Sequence, residues 1–185
     1  MPDRYVFGPR WVTPLAGFTL LGLLALSALS NSPRAARLQS PVVMGVVCVV
    51  TVLNLLSLTQ LIKLIVFHAA NVDALRLLGS SITIWVANVI DFALLYWLVD
   101  GGGPDERRSA RGDAIDFIFP TPPGDPERRP RFMDYVYLAF STATAFSATD
   151  TTPVTTRARV LLMIEATASL LTIAITAARA INILQ

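Results

Sequence analysis

Apolar positions along this chain gather into long runs separated by polar, proline-rich connections. A transmembrane helix needs about 20 mostly apolar residues at ~1.5 Å each. Residues 11–31, 41–67, 79–99 and 158–184 meet that requirement. Trp11 stands at the edge of the first run, and Asn31-Ser32-Pro33 closes it. Pro41 opens the second, at a position where proline is tolerated in a first helical turn. Tyr96 and Trp97 form an aromatic belt at the far end of the third. The second and fourth runs exceed what a bilayer needs, so they tilt or protrude. Arg4 and Arg10 followed by apolar residues 15–29 and Ala28-Leu29-Ser30 have the outline of a signal peptide. Because further spans follow, an uncleaved first helix is the expectation.

Residues 100–131 read as a long extramembrane loop. Asp100-Gly101-Gly102-Gly103-Pro104 stops the preceding helix. Six of the twelve prolines fall in this loop, with seven acids against six arginines. Phe117-Ile118-Phe119 marks a part that packs down on something. Residues 132–150 follow, starting as a helix with Asp134 as its expected N-cap. The apolar part, residues 135–146, would be about 18 Å long, too short to cross ~30 Å of hydrocarbon. It runs into Ser, Thr and Ala, ending at Asp150 and Pro153. An apolar half-helix and polar irregular chain between two spans predict a re-entrant segment over 132–153. Irregular backbone at membrane depth survives only when buried in protein or lining water.

Composition narrows the class further. The chain has 185 residues, 54% hydrophobic and only 15% charged, against roughly 25% charged in an average soluble domain. Mean hydropathy is +0.57. Fifteen bases and thirteen acids leave a net charge of +2, too balanced for a nucleic-acid footprint despite a pI near 9.0. An ordinary soluble domain, a disordered chain and a nucleic-acid module are excluded. The single cysteine, Cys48, allows no intrachain disulfide, and the single histidine, His68, lacks partners for a metal site. No metal, cofactor or catalytic residue is expected, since no nucleophile–His–acid set or phosphate loop is present.

Residues 132–184 resemble the pore module of potassium channels: pore helix, filter, inner helix. The filter of that family reads Thr-Thr-Val-Gly-Tyr-Gly-Asp, then two residues, then Pro-Val-Thr. This chain has Thr144-Ala145-Phe146-Ser147-Ala148-Thr149-Asp150, then two residues, then Pro153-Val154-Thr155. Downstream, Ala158-Arg159, Leu161, Glu165-Ala166 and Ala178-Arg179 keep the register of many bacterial members. The match covers about 50 of 185 residues, plus the third span as outer helix. The chain is also similar to uncharacterised bacterial integral membrane proteins with an Ala-Thr-Ala-Phe-Ser-x-Thr-Asp loop. The resemblance implies a plasma (inner) membrane location in a bacterial-type cell, four copies around an axis, and monovalent cations as the permeant species.

The departures are as informative as the matches. The potassium filter turns backbone carbonyls inward to replace the hydration shell. Its glycines permit that backbone. Here Ser147 and Thr149 occupy the glycine positions, and a β-branched residue at φ > 0 is an outlier. The left-handed region costs about 1–2 kcal/mol for a residue with a Cβ. A potassium filter of the usual geometry is therefore not expected. Three readings stay open. The loop is a wider, hydroxyl-lined filter of Thr144, Ser147 and Thr149; or Phe146 plugs the axis; or the fold serves another purpose. Ser169 replaces the family's inner-helix hinge glycine.

Ionisable residues inside a membrane mark function by default. Lys63, Asp91 and Glu165 are the three clear cases. Asp91 lies eight residues before Val99 and Glu165 eight after Arg157, so each is about 12 Å from the loop-side end. Level with the re-entrant loop, they are expected to brace it. Lys63 is expected to snorkel, and Asn54, Gln60 and Asn88 to join helices by hydrogen bonds.

The expected fold is all-α, with four transmembrane helices and a re-entrant segment between the third and fourth. Residues 1–77 form a peripheral two-helix scaffold and residues 78–185 the channel-like module. One re-entrant loop cannot enclose a pore, so a homotetramer in the lipid bilayer is expected. The channel arrangement places both termini in the cytoplasm and residues 100–131 outside. That puts ten basic residues outside and five inside, against the positive-inside rule. The expected function is ion conduction of altered, non-potassium selectivity. The alternative is a non-conducting protein of the same fold, with a scaffolding or sensing role.

Overall fold

The computed structural model describes residues 33–67, 74–104, 107, 115–121, 128–144 and 150–183. The expected first span (residues 11–31), His68 and loop residues Ala145–Thr149 lie outside the described residues. Four helices make up most of what is described. They are α1 (Pro33–Phe67), α2 (Ala74–Val99), α3 (Phe132–Thr144) and α4 (Thr156–Ile183). A two-stranded antiparallel ribbon joins β1 (Phe117–Ile118) to β2 (Thr152–Pro153), with Phe117 opposite Pro153 and Ile118 opposite Thr152. The all-α reading did not include this ribbon. Two residues per strand are too few to leave an alternation in the sequence.

Two helical stretches are long and apolar enough to cross a membrane, Ser81–Gly102 and Thr156–Ala178. α1 is helical throughout, but its apolar stretch, Met44–Gln60, is shorter than the ~20 residues a span needs. It also begins earlier than expected. Pro33 takes the first-turn position where a missing N–H costs nothing, so Pro41 lies inside the helix rather than at its start. α2 starts at Ala74, five residues before the expected 79, and ends at Val99 as expected.

α2 is the central element, packed by α1, α3 and α4, with α3 also against α4. Phe92, Ala93, Leu94, Leu95 and Tyr96 are consecutive and all buried, the mark of a helix enclosed on every side. Its C-terminal end turns sharply. Gly101, Gly102 and Gly103 have φ of 57°, 77° and 101°, a left-handed run that residues with a Cβ rarely adopt. The turn closes with Gly103 N–H donating to the Asp100 carbonyl at 2.9 Å.

α4 is nearly inverted relative to a soluble helix. Its buried stripe, Ala158, Glu165, Ala168, Ser169 and Thr172, carries three polar side chains, one of them a carboxylate. Val160, Met163, Leu170, Leu171 and Ile173 are exposed. α1 repeats the pattern, with Thr51 and Asn54 buried and Val49, Val52, Leu53 and Leu56 exposed. Soluble monomers rarely expose contiguous apolar faces of this extent. Apolar outward and polar inward is the arrangement expected where the surroundings are hydrocarbon.

Candidate functional site

Both ends of the segment between α2 and α4 are fastened at the same place, the C-terminal end of α2. Asp100, only 2% exposed, organises that end. Its Oδ1 accepts the N–H groups of Asp116 (2.8 Å) and Phe117 (3.2 Å). Its Oδ2 accepts the Tyr135 hydroxyl at 2.6 Å. Tyr135 lies in the first turns of α3, so the incoming helix is bound here. The outgoing chain returns here too. Val154 N–H donates to the Asp116 carbonyl at 2.8 Å, extending the β1–β2 ribbon.

A second buried carboxylate completes the fastening. Asp116, fully buried, accepts two bonds from the Arg157 guanidinium, Nε to Oδ1 and Nη2 to Oδ2, both at 2.6 Å. The Thr155 hydroxyl also donates to Asp116 Oδ1. Burial pushes the Asp116 carboxyl up. Hydrogen bonds from Arg157 and Thr155, with the Arg157 charge, outweigh it and hold the group below the usual carboxylate range. Arg107 closes the network from outside, donating to the carbonyls of Trp97 and Asp100 with its guanidinium 5.5 Å from the Tyr135 ring centroid. Burial pushes the Tyr135 phenol up, and the neighbouring Asp100 carboxylate adds to this.

α3 enters from this rim. Its first turn corrects one expectation: Asp134 is not the N-cap. Arg131 precedes the helix, and Asp134 reaches back to accept the Arg131 N–H at 2.6 Å. This is the reciprocal half of a capping box. Arg128 holds the same carboxylate at 2.9 and 3.1 Å. The helix is 13 residues long, about 20 Å, short of ~30 Å of hydrocarbon. Its buried residues Tyr135, Leu138, Ala139 and Ala143 face the core, and Phe140 meets Trp85 of α2 edge-on at 5.8 Å. The expected packing of Phe117-Ile118-Phe119 takes the form of an aromatic ladder. Ring centroids run Tyr96–Phe117 at 5.2 Å, Phe117–Phe119 at 6.3 Å and Phe119–Tyr135 at 4.8 Å.

Within the helices, polar side chains pair across elements. Asn54 of α1 donates to Asp91 Oδ2 at 3.2 Å. Asn88 of α2 donates to the Ser169 hydroxyl at 2.9 Å. The Tyr96 hydroxyl donates to Glu165 Oε2. Asn54 and Asn88 therefore do join helices. Asp91 and Glu165 are both buried, but each has its own helical partner. Neither bonds to Thr144 or Asp150, the two described residues of the loop expected to stand at the filter position. Glu165 Oε1, Asn54 Oδ1 and the Trp85 indole N–H lack a hydrogen-bond partner among the described residues. The Thr144 hydroxyl donates back to carbonyls of its own helix, Phe140 at 2.9 Å and Ser141 at 3.2 Å. Asp150 is exposed, as is Lys63.

Sequence reasoning passed over most of the rim. Asp100 read only as part of a helix stop, and Asp116 as one of seven loop acids. The adjacency of Asp116 to Phe117-Ile118-Phe119 was the available signal, since a carboxylate beside an inward-packing aromatic run needs buried partners. No family model matches the chain, nor does any curated protein or solved structure.

Proposed function

We propose that this chain is the subunit of a pore-loop membrane protein that conducts monovalent cations without potassium-type selectivity. The observation that carries the reading is the shared anchorage of α3 and β2. The chain leaves the end of α2 as a helix too short to span and comes back to that same end. It does so between two helices that are long enough. We read such a segment as re-entrant between α2 and α4. The polar-inward, apolar-outward helices support a lipid setting, and the ungapped register of Thr144, Asp150, Pro153 and Thr155 supports the pore module. A single copy cannot enclose a pore, so four copies meet at an axis, with α4 innermost. Ser147 and Thr149 disfavour a carbonyl-lined potassium filter, so hydroxyls of the loop take part in coordination. Asp91 and Glu165 act from behind the loop by fixing α1 and α4 to α2. Both termini face the cytoplasm, with residues 100–131 outside.

The purified chain, reconstituted in liposomes, is expected to be tetrameric and to pass potassium and sodium at similar rates. Phe146→Ala is expected to raise the flux. A monomer or dimer would remove the pore. Absence of flux from tetramers of both the native chain and Phe146→Ala would favour the second reading, a non-conducting scaffold or sensor of the same fold. That reading rests on the side chains that replace both filter glycines. A tag inserted within residues 105–130 that is reached from the cytoplasmic side would reverse the orientation.

A further inference from the structure

The end of α2 carries a pocket on the outer side of the buried network. Trp97, Phe117 and Ile118 form its apolar wall, and Arg107, Arg128 and Arg129 its polar one. Asp100 also borders it, but both of its carboxylate oxygens are engaged by Asp116 N–H, Phe117 N–H and the Tyr135 hydroxyl. What the pocket offers outward is therefore donors. Arg128 uses Nη2 on Asp134, and Arg107 uses Nη1 on two carbonyls, 3.8 Å from Asp100 Oδ2, so among the described residues each guanidinium keeps its other N–H groups unengaged. Arg129 is exposed and has no acidic partner among the described residues.

Its setting narrows the ligand. The pocket lies at the last turn of Ser81–Gly102, a stretch long and apolar enough to cross a membrane. Ile115, Ile118, Phe132 and Met133 around it are exposed, and Trp97 meets Phe132 edge-on at 5.8 Å. Tryptophan favours the headgroup level of a bilayer. Arginine clusters at that level recognise anionic headgroups, and the guanidinium fork matches phosphate oxygens in pairs. Apolar side chains interleaved with these arginines suit an amphiphile better than a soluble anion.

We propose that this pocket binds the phosphate of an anionic phospholipid, with Arg107, Arg128 and Arg129 on the phosphate oxygens and Trp97 and Ile118 against the glycerol and first methylenes. The site rests on α2 being a membrane span and does not depend on whether the pore conducts.

The test titrates the full chain in detergent with phosphatidylglycerol and with phosphatidylcholine, counting retained lipids by native mass spectrometry. The native chain is expected to prefer phosphatidylglycerol. Arg129→Ala is expected to weaken that lipid by about fivefold, the worth of one basic residue near an anionic surface, and to leave phosphatidylcholine unchanged. Arg129→Lys is expected to retain part of the preference. Arg131→Ala, which alters a neighbouring arginine outside the pocket wall, is expected to change it less than Arg129→Ala. Circular dichroism of each variant checks the helical fold. Equal retention of the two lipids by the native chain, an unaltered preference in Arg129→Ala, or an equal loss in Arg131→Ala would overturn the proposal. Displacement of the lipid by millimolar glycerol phosphate would overturn its assignment to a lipid. Recovery of the chain from membranes with no lipid preference would refute this site while leaving the membrane reading intact.

Discussion

Breaking the Asp116–Arg157 pair tests the idea that one buried carboxylate fastens the returning chain. Asp116 is fully buried, and the Arg157 side chain is 53% exposed. Removing one partner of a fully buried pair costs about 3–5 kcal/mol, whereas exposed pairs are worth roughly 0–1 kcal/mol. Here one partner is buried, and Asp116 keeps the Thr155 hydroxyl and a Gly101 backbone bond. Arg157→Ala is therefore expected to cost about 2 kcal/mol, between those limits. Asp116→Asn leaves no buried charge and is expected to cost about 1 kcal/mol. The double variant should cost no more than Arg157→Ala, a coupling of about 1 kcal/mol. Unfolding in detergent, followed by circular dichroism, supplies the four values. Coupling below about 0.5 kcal/mol, the limit within which unconnected residues add, would refute the reasoning. Acid gives a second reading of the same bond. A carboxyl lowered on folding stabilises above its unfolded pKa, about 3.9, and that contribution is lost as pH falls through the folded value. The gap between the native chain and Asp116→Asn should thus close below a pH of about 4.

Three further substitutions probe separate parts of the frame. Gly101→Ala places a Cβ at φ 57°, 2.8 Å from Arg107 Cγ; a loss of at least about 1–2 kcal/mol is expected in the same unfolding assay. Asp134→Ala removes the bond to the Arg131 N–H and the pair with Arg128; about 1 kcal/mol is expected, with loss of protection in the first turn of α3 by hydrogen exchange. Tyr96→Phe leaves both Glu165 oxygens without a hydrogen-bond partner among the described residues. A cost of about 1–3 kcal/mol is expected, and Tyr96→Phe combined with Glu165→Leu should recover part of it.

The helices α1, α2 and α4 were legible because long apolar runs have few soluble meanings, and two of the four expected spans correspond to stretches long and apolar enough to cross a membrane, Ser81–Gly102 and Thr156–Ala178. The short α3 was legible for the converse reason, being apolar yet too brief to span. Boundaries were less legible. α1 begins at Pro33 because two prolines compete for its first turn, and the sequence alone ranks neither. Asn54 and Asn88 could be read as helix ties because a polar amide in an apolar run needs a partner nearby. The rim could not be assembled this way. Asp100 and Asp116 are 16 residues apart and Arg157 another 41 along. Their meeting follows from the three-dimensional return of the chain and not from any local spacing. The partners of Asp91 and Glu165 were hidden for the same reason: helical rise gives depth but not azimuth, so it placed both carboxyls without saying which helix each faces.

The ties along α4 are distributed unevenly. Arg157, Glu165 and Ser169 each bond to another element. Beyond Ser169, the side-chain bonds that α4 makes among the described residues run within the helix itself. The ties between α4 and other elements that these residues show therefore fall between Arg157 and Ser169, a stretch of about 18 Å of helical rise. A tilt of about 10° at Ser169 would carry the backbone 14 residues farther on by about 4 Å, roughly the width of a methyl group. The polar fastening of α4 is thus concentrated in the half of the helix nearest Asp116, where a given angular change displaces the chain least relative to the rim.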